Sequence, residues 1–332
     1  MSRVPQPPRG LLVLAFTSVY LAWGSTYLAI RVAVASIPVT VLAGVRFTIA
    51  GGGMLLALRL VGRPTRVRGH DFRALLLVAA LLLIGGNGLV VWAEQEVPSG
   101  LAALIVATVP LWMAGLAALP PTHERLPTRA VLGLGLGFLG VVVLVGPALD
   151  GPRGELRGEA ALVLASLSWS CGSLYARRAG IRLDPLAATG WEMLLGGLLF
   201  LALAVVNGSW RAMHPTPAGI AALAYLVVLG SWIGFTAYIW LLAHAPAAKV
   251  ATYAYVNPVI AVLLGWWILD EPITGTVIAG SAIVVVAVAL VTAARVRRAD
   301  APGAGTAQPA PPLVTAAKHG RARREQIVRV DS

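Results

Sequence analysis

Residues 11–31 read LLVLAFTSVYLAWGSTYLAIR, and residues 157–177 read RGEAALVLASLSWSCGSLYAR. Laid over one another, Trp169 falls on Trp23 and Arg177 on Arg31. The same register carries Gly190 onto Gly44 and Gly197 onto Gly51, and sets Glu192 on Arg46. With two residues of slack, Gly234 meets Gly86, Trp240 meets Trp92, Pro246 meets Pro98 and Pro258 meets Pro110. One hydrophobic unit is therefore present twice. Such duplication marks many secondary transporters.

Composition places the unit in a bilayer. Of 332 residues 58% are hydrophobic, only 12% are charged, and the mean hydropathy is +0.81. A soluble domain carries about 25% charged residues. The net charge of +12 does not indicate nucleic acid, because the basic residues are scattered over short loops and a tail, with no soluble domain to present them. Cys171 is the only cysteine, which excludes a disulfide framework and a thiolate metal site. Arg3 and Arg9 ahead of an apolar run, with Ala33-Val34-Ala35 behind it, resemble a signal peptide. The uncleaved first helix is the stronger reading, since its counterpart around Trp169 lies mid-chain.

A spanning helix needs about 20 mostly apolar residues. Ten such segments are expected: 11–31, 39–60, 74–95, 99–119, 129–147, 158–177, 185–206, 217–242, 247–269 and 273–294. With the N-terminus in the cytoplasm, one side collects Arg3, Arg9, Arg59, Arg63, Arg66, Arg68, Arg73, Arg125, Arg129, Arg177, Arg178, Arg182, Lys249 and the tail. Glu94, Glu96, Asp150, Glu155, Glu159, Asp270 and Glu271 are then expected outside. The positive-inside rule accordingly puts both termini in the cytoplasm. Five spans per repeat is an odd number, so the halves must be inverted. The organisation expected is an all-α membrane protein of two inverted five-helix repeats, 11–147 and 158–294. A basic, Ala/Pro-rich tail over 295–332 is expected to be disordered. Arg295, Arg297 and Arg298 at its start read as a topology anchor or as an anionic-lipid contact.

Several stretches resemble a known family. Trp23-Gly24-Ser25-Thr26-Tyr27, Arg46-Phe47 and Tyr253-Ala254-Tyr255-Val256-Asn257-Pro258 running into Leu269-Asp270-Glu271-Pro272 are similar to the EamA domain, the ten-helix branch of the drug/metabolite transporter superfamily. Trp92-Ala93-Glu94, Val97-Pro98-Ser99-Gly100, Val106-Ala107-Thr108-Val109-Pro110 and Glu192-Met193-Leu194 are most similar to its YedA-type bacterial inner-membrane branch. The resemblance covers about residues 11–294. It implies a bundle around a central cavity, alternating access, an inner-membrane location, and commonly export of amino acids or other small metabolites.

Arg46 and Glu192 are the charges deepest within the expected spans. A charge at a helix centre costs about 2.5–3.5 kcal/mol on insertion scales, so it faces a partner or a cavity. Helix rise leaves roughly 10 Å between their levels, which favours two cavity-facing charges over a structural pair. Glu192 could also carry a coupling proton; an inert ion pair with exchange or facilitated diffusion is the competing reading. Pro110 and Pro258, at equivalent places, are expected to kink their helices. Trp23, Tyr27, Asn87, Trp112, Trp169, Tyr238, Tyr253 and Asn257 complete the expected substrate-binding set. Trp92, Trp210, Trp266 and Trp267 lie near span ends, as interfacial belts do. The abundant glycines read as close helix packing, not as a nucleotide fingerprint.

No HExxH and no P-loop occurs, and the five histidines (His70, His123, His214, His244, His319) lie in loops, at span ends or in the tail. No cofactor or metal is expected. The partners expected are a small-molecule substrate, membrane lipids and, as an option, a second copy in a homodimer. Efflux of amphiphilic drug-like compounds is the alternative within transport. A membrane-embedded enzyme or scaffold is the alternative outside it.

Overall fold

A computed structural model describes residues 7–119, 126–149 and 153–299. The expectations for Arg3, His123, Arg125, Asp150 and residues 300–332 lie outside the described residues. Every regular element among the described residues is helical. In chain order the rods are α1 (Arg9–Val34), α2 (Val39–Leu60), α3 (Gly69–Ala93), α4 (Ser99–Ala118), α5 (Thr128–Val145), α6 (Arg153–Arg178), α7 (Pro185–Val206), α8 (Pro217–His244), α9 (Tyr253–Leu269, after a turn at Ala247–Val250) and α10 (Gly275–Ala299). Eight are long and apolar enough to cross a membrane. Of the other two, α9 is a shorter apolar helix. The tenth, α6, is the polar one. Its hydroxyls return to backbone carbonyls: Ser166 donates to Leu162 at 2.9 Å, Ser170 to Ser166 at 2.7 Å, and Ser168 to Leu81 of α3 at 2.8 Å. A polar residue so satisfied is tolerated at membrane depth. Helix α10 runs on to Ala299, past the boundary expected at 294.

The inversion is visible in the packing. Gly44 lies against Leu201, Gly51 against Leu194, and Gly190 against Leu55. As numbers rise along α2 they fall along α7, so these equivalent helices run antiparallel. The contacts are also reciprocal: Gly51 abuts the backbone of Leu194, while Gly197 abuts that of Thr48. α5 and α10 repeat the arrangement, with Gly133 on Val291 and Gly280 on Leu144. A contact that maps onto itself when the halves are exchanged is the signature of a two-fold axis. The glycines permit it, because a Cβ at Gly51 or Gly197 would strike main chain that cannot rotate away.

The third helices of the two repeats each widen into a π segment, at Ala80–Gly88 and Leu226–Ile233. These stretches are equivalent in the duplication register. Each receives a tryptophan from the first helix of the other repeat: Trp23 donates to the Gly230 carbonyl, and Trp169 faces Gly86. π segments interrupt the i−4 ladder and occur frequently at functional sites.

The two proline positions differ. α4 breaks at Ala107-Thr108, and Pro110 follows at the start of the resumed helix. Thr108 covers the break by donating to the Ile105 carbonyl at 2.6 Å. Pro258 lies inside α9, and the break in that span comes earlier, at Ala251-Thr252.

At one end of the bundle, Asp270 takes a left-handed φ of 54° and closes α9. Aspartate tolerates this region better than most residues. The turn delivers Glu271 onto the first residues of α4. Its carboxylate accepts from the Ser99 amide at 2.8 Å, the Ser99 hydroxyl at 3.0 Å and the Gly100 amide at 3.1 Å. A helix start has unpaired N–H groups and a partial positive charge, so an anion from another helix is a strong cap there. At the opposite end Arg63 and Asp184 form an ion pair at 2.6 Å. The Trp191 indole donates to the Thr65 carbonyl at 2.8 Å.

Candidate functional site

Arg46 sits about two turns into α2 and is 5% exposed. Its Nε donates to Ser231 Oγ at 3.4 Å, and its guanidinium carbon lies 4.8 Å from the Phe47 ring centre. No carboxylate among the described residues forms an ion pair with it. A glycine makes this placement feasible. A Cβ on Gly230 would lie 3.3 Å from Arg46 Nη2 and 2.9 Å from Thr26. The π segment of α8 therefore brings its bare backbone between α1 and α2. The same residue offers its carbonyl to the Trp23 indole at 3.1 Å.

Trp23 is the hub of an aromatic cluster. Its ring centre lies 5.3 Å from Phe235, 5.1 Å from Tyr238 and 5.1 Å from Tyr253. The rings of Tyr238 and Tyr253 meet edge to face at 5.7 Å. Tyr27 lies within electrostatic reach of Tyr253. Asn257 follows Tyr253 by four residues on α9, hence on the same helix face. It is 8% exposed, and its side-chain oxygen has no hydrogen-bond partner among the described residues. Edge-to-face aromatic pairs hold a cluster of this kind rigid. Their π faces and hydroxyls also present surfaces that accept cations and polar groups.

The structure thus gathers Trp23, Tyr27, Arg46, Tyr238 and Tyr253, with Asn257 on the Tyr253 face. It does not gather the rest of the expected set. Trp169 and Asn87 belong to the equivalent place in the other half, where Asn87 donates to the Leu82 carbonyl at 3.4 Å. Trp112 packs on Phe138 at 5.0 Å, in the contact between α4 and α5. Glu192 is half-buried on α7, and the carboxylate within electrostatic reach of Arg46 is Glu94.

Glu94 is the buried acid that the sequence reading did not include among the site residues. Expected outside, it closes α3 and is 0% exposed. The Arg31 guanidinium donates to its backbone carbonyl. Neither carboxylate oxygen has a hydrogen-bond partner among the described residues. Arg31, Arg46, Glu271 and Tyr27 all lie within its electrostatic reach. One sequence signal was available: an acid at a helix C-terminus sits at the negative end of the dipole, an unfavourable place for a surface residue without a task. Glu159, also expected outside, is buried as well. It lines a cavity of about 170 Å³ with Glu155, Glu271, Pro98, Leu144 and Val277, at the loop end of the bundle and apart from the Arg46 cluster.

A duplicated, inverted helical bundle with a buried cation and aromatic groups where its first and third helices cross is the architecture of an integral membrane carrier. The chain belongs to the EamA-like transporter family, which it matches over residues 10–146 and 156–293. It is 37% identical over 289 residues to the uncharacterized inner membrane transporter YedA of Escherichia coli strain K12, covering 84% of this chain and 89% of that protein. It is 25% identical over 284 residues to a probable amino-acid metabolite efflux pump of the same organism, covering 80% of this chain and 89% of that one. A crystal structure covering 86% of this chain and 98% of its own shares the fold at a TM-score of 0.62 with 21% identity. The family and these relatives are transporters, which sets the enzyme alternative aside. The chain is a multi-pass membrane transport protein.

Proposed function

We propose that the protein exports a small polar or amphipathic metabolite, an amino acid in the first instance, by alternating access, with both termini in the cytoplasm. The observation that carries this reading is Arg46. It is a guanidinium buried within a spanning helix, without an ion-pair partner among the described residues, beside an aromatic cluster and a π segment that carries Gly230. An unpaired buried cation is costly, and a substrate carboxylate would relieve that cost. The rings of Trp23, Tyr238 and Tyr253 then supply apolar contact for a side chain. The name of the Escherichia coli efflux pump supports export and the amino-acid class. The charge asymmetry of the loops supports the orientation.

The test is a metabolite comparison of medium from cells overexpressing the protein with medium from cells lacking it. One or more amino acids should accumulate outside in the first case. Arg46→Ala at normal protein level should abolish the difference. Efflux unchanged in Arg46→Ala, or accumulation confined to hydrophobic organic cations, would reject the reading. The latter result would favour drug efflux.

A further inference from the structure

We propose that the Glu94 carboxylate is the anionic half of the substrate site. It takes the ammonium group of a zwitterionic α-amino acid whose carboxylate is held by Arg46. The inference rests on the amino-acid reading above and deepens it. Three observations place it at Glu94. The side chain is 0% exposed at the end of α3. Both of its oxygens lack a hydrogen-bond partner among the described residues. Arg46 and Tyr27 of the candidate site lie within its electrostatic reach, as do Arg31 and Glu271.

The neighbouring charges argue against a purely structural role. Arg31 is turned to the backbone carbonyl of Glu94. Arg46 is bonded to Ser231, and Glu271 is engaged at the start of α4. Among the described residues no group satisfies the Glu94 oxygens directly, although buried carboxylates are normally hydrogen-bonded. An ammonium group has three donors and a compact positive charge. It fits two unused acceptors beside a guanidinium already committed to the opposite end of the ligand. Among the described residues no such link joins Glu192 to Arg46.

The experiment uses the full-length protein in proteoliposomes. The substrate amino acid found in the medium comparison is loaded for counterflow, and three competitors are applied: the same amino acid, its N-acetyl derivative and its amide. Losing an ionic hydrogen bond in a buried site weakens binding by about 10- to 100-fold. The wild type should therefore discriminate against the N-acetyl derivative by about that factor. Glu94→Gln should discriminate by less than about threefold, and Glu94→Asp, which keeps the charge, should retain the preference. The wild type should also discriminate against the amide, and Glu94→Gln should keep that discrimination, because the carboxylate end of the ligand is held by Arg46 and not by Glu94. A Glu94→Gln protein with the wild-type preference for the free ammonium overturns the proposal.

A second readout needs no transport. A membrane-permeant carbodiimide should label Glu94, and a simple primary alkylammonium salt should protect it while its quaternary analogue should not. If no amino acid is exported but the alkylammonium salt still protects Glu94, the functional reading falls and the ammonium site stands. Protection by neither compound overturns the site even if amino acids are exported.

Discussion

Removing the Glu271 carboxylate should loosen the joint between α9 and α4. Glu271→Ala deletes both acceptor oxygens and leaves two amides at the head of α4, those of Ser99 and Gly100, and the Ser99 hydroxyl without their partner. Ser99 is fully buried, so water does not readily replace the lost group. Charge-assisted hydrogen bonds contribute about 1.5–3 kcal/mol each. The two from the amides give an upper limit near 6 kcal/mol, and partial exposure of Glu271 with local relaxation lowers the expected loss to about 2–4 kcal/mol. Glu271→Gln keeps a neutral acceptor and should lose about half as much. Reversible unfolding of purified protein in mixed micelles of increasing SDS content measures both. Stability within about 0.5 kcal/mol of wild type for Glu271→Ala would show that the cap contributes nothing and would refute the reasoning.

Three further outcomes are expected. Gly51→Leu and Gly197→Leu should each prevent assembly of the α2–α7 pair, because the added side chain meets main chain of the facing helix, whereas Gly52→Ala, where nothing lies within 4 Å, should leave monodispersity in detergent unchanged. Glu192→Gln should transport at a near wild-type rate with and without an imposed pH gradient, since Glu192 is not the carboxylate coupled to Arg46; loss of a pH-gradient effect in this variant alone would assign proton coupling to it. Reporter fusions after residue 125 and after residue 152 should lie on opposite sides, the first in the cytoplasm, and the same side for both would contradict the inverted repeat.

Part of this was written in the sequence because it needs only one helix at a time. Apolar length marks spans, loop arginines mark sides, and matching Trp, Gly and Pro positions mark a repeat whose odd helix number forces inversion. Arg46 was legible for the same reason: a cation in the middle of an apolar run needs an explanation wherever it points. Which carboxylate lies nearest in influence to that cation was not legible. Sequence symmetry set Glu192 against Arg46. The fold instead brings Glu94, a residue at a span end, within reach of Arg46, because position along a helix gives depth but not which neighbour the residue faces. The aromatic hub around Trp23 likewise depends on α1 crossing α8 and α9, and the space beside Arg46 depends on the bare Gly230 of a π segment. The chain by itself determined the number, depth and polarity of the helices. Only tertiary packing, through glycine contacts that let helices distant in sequence touch, decided which side chains share a site.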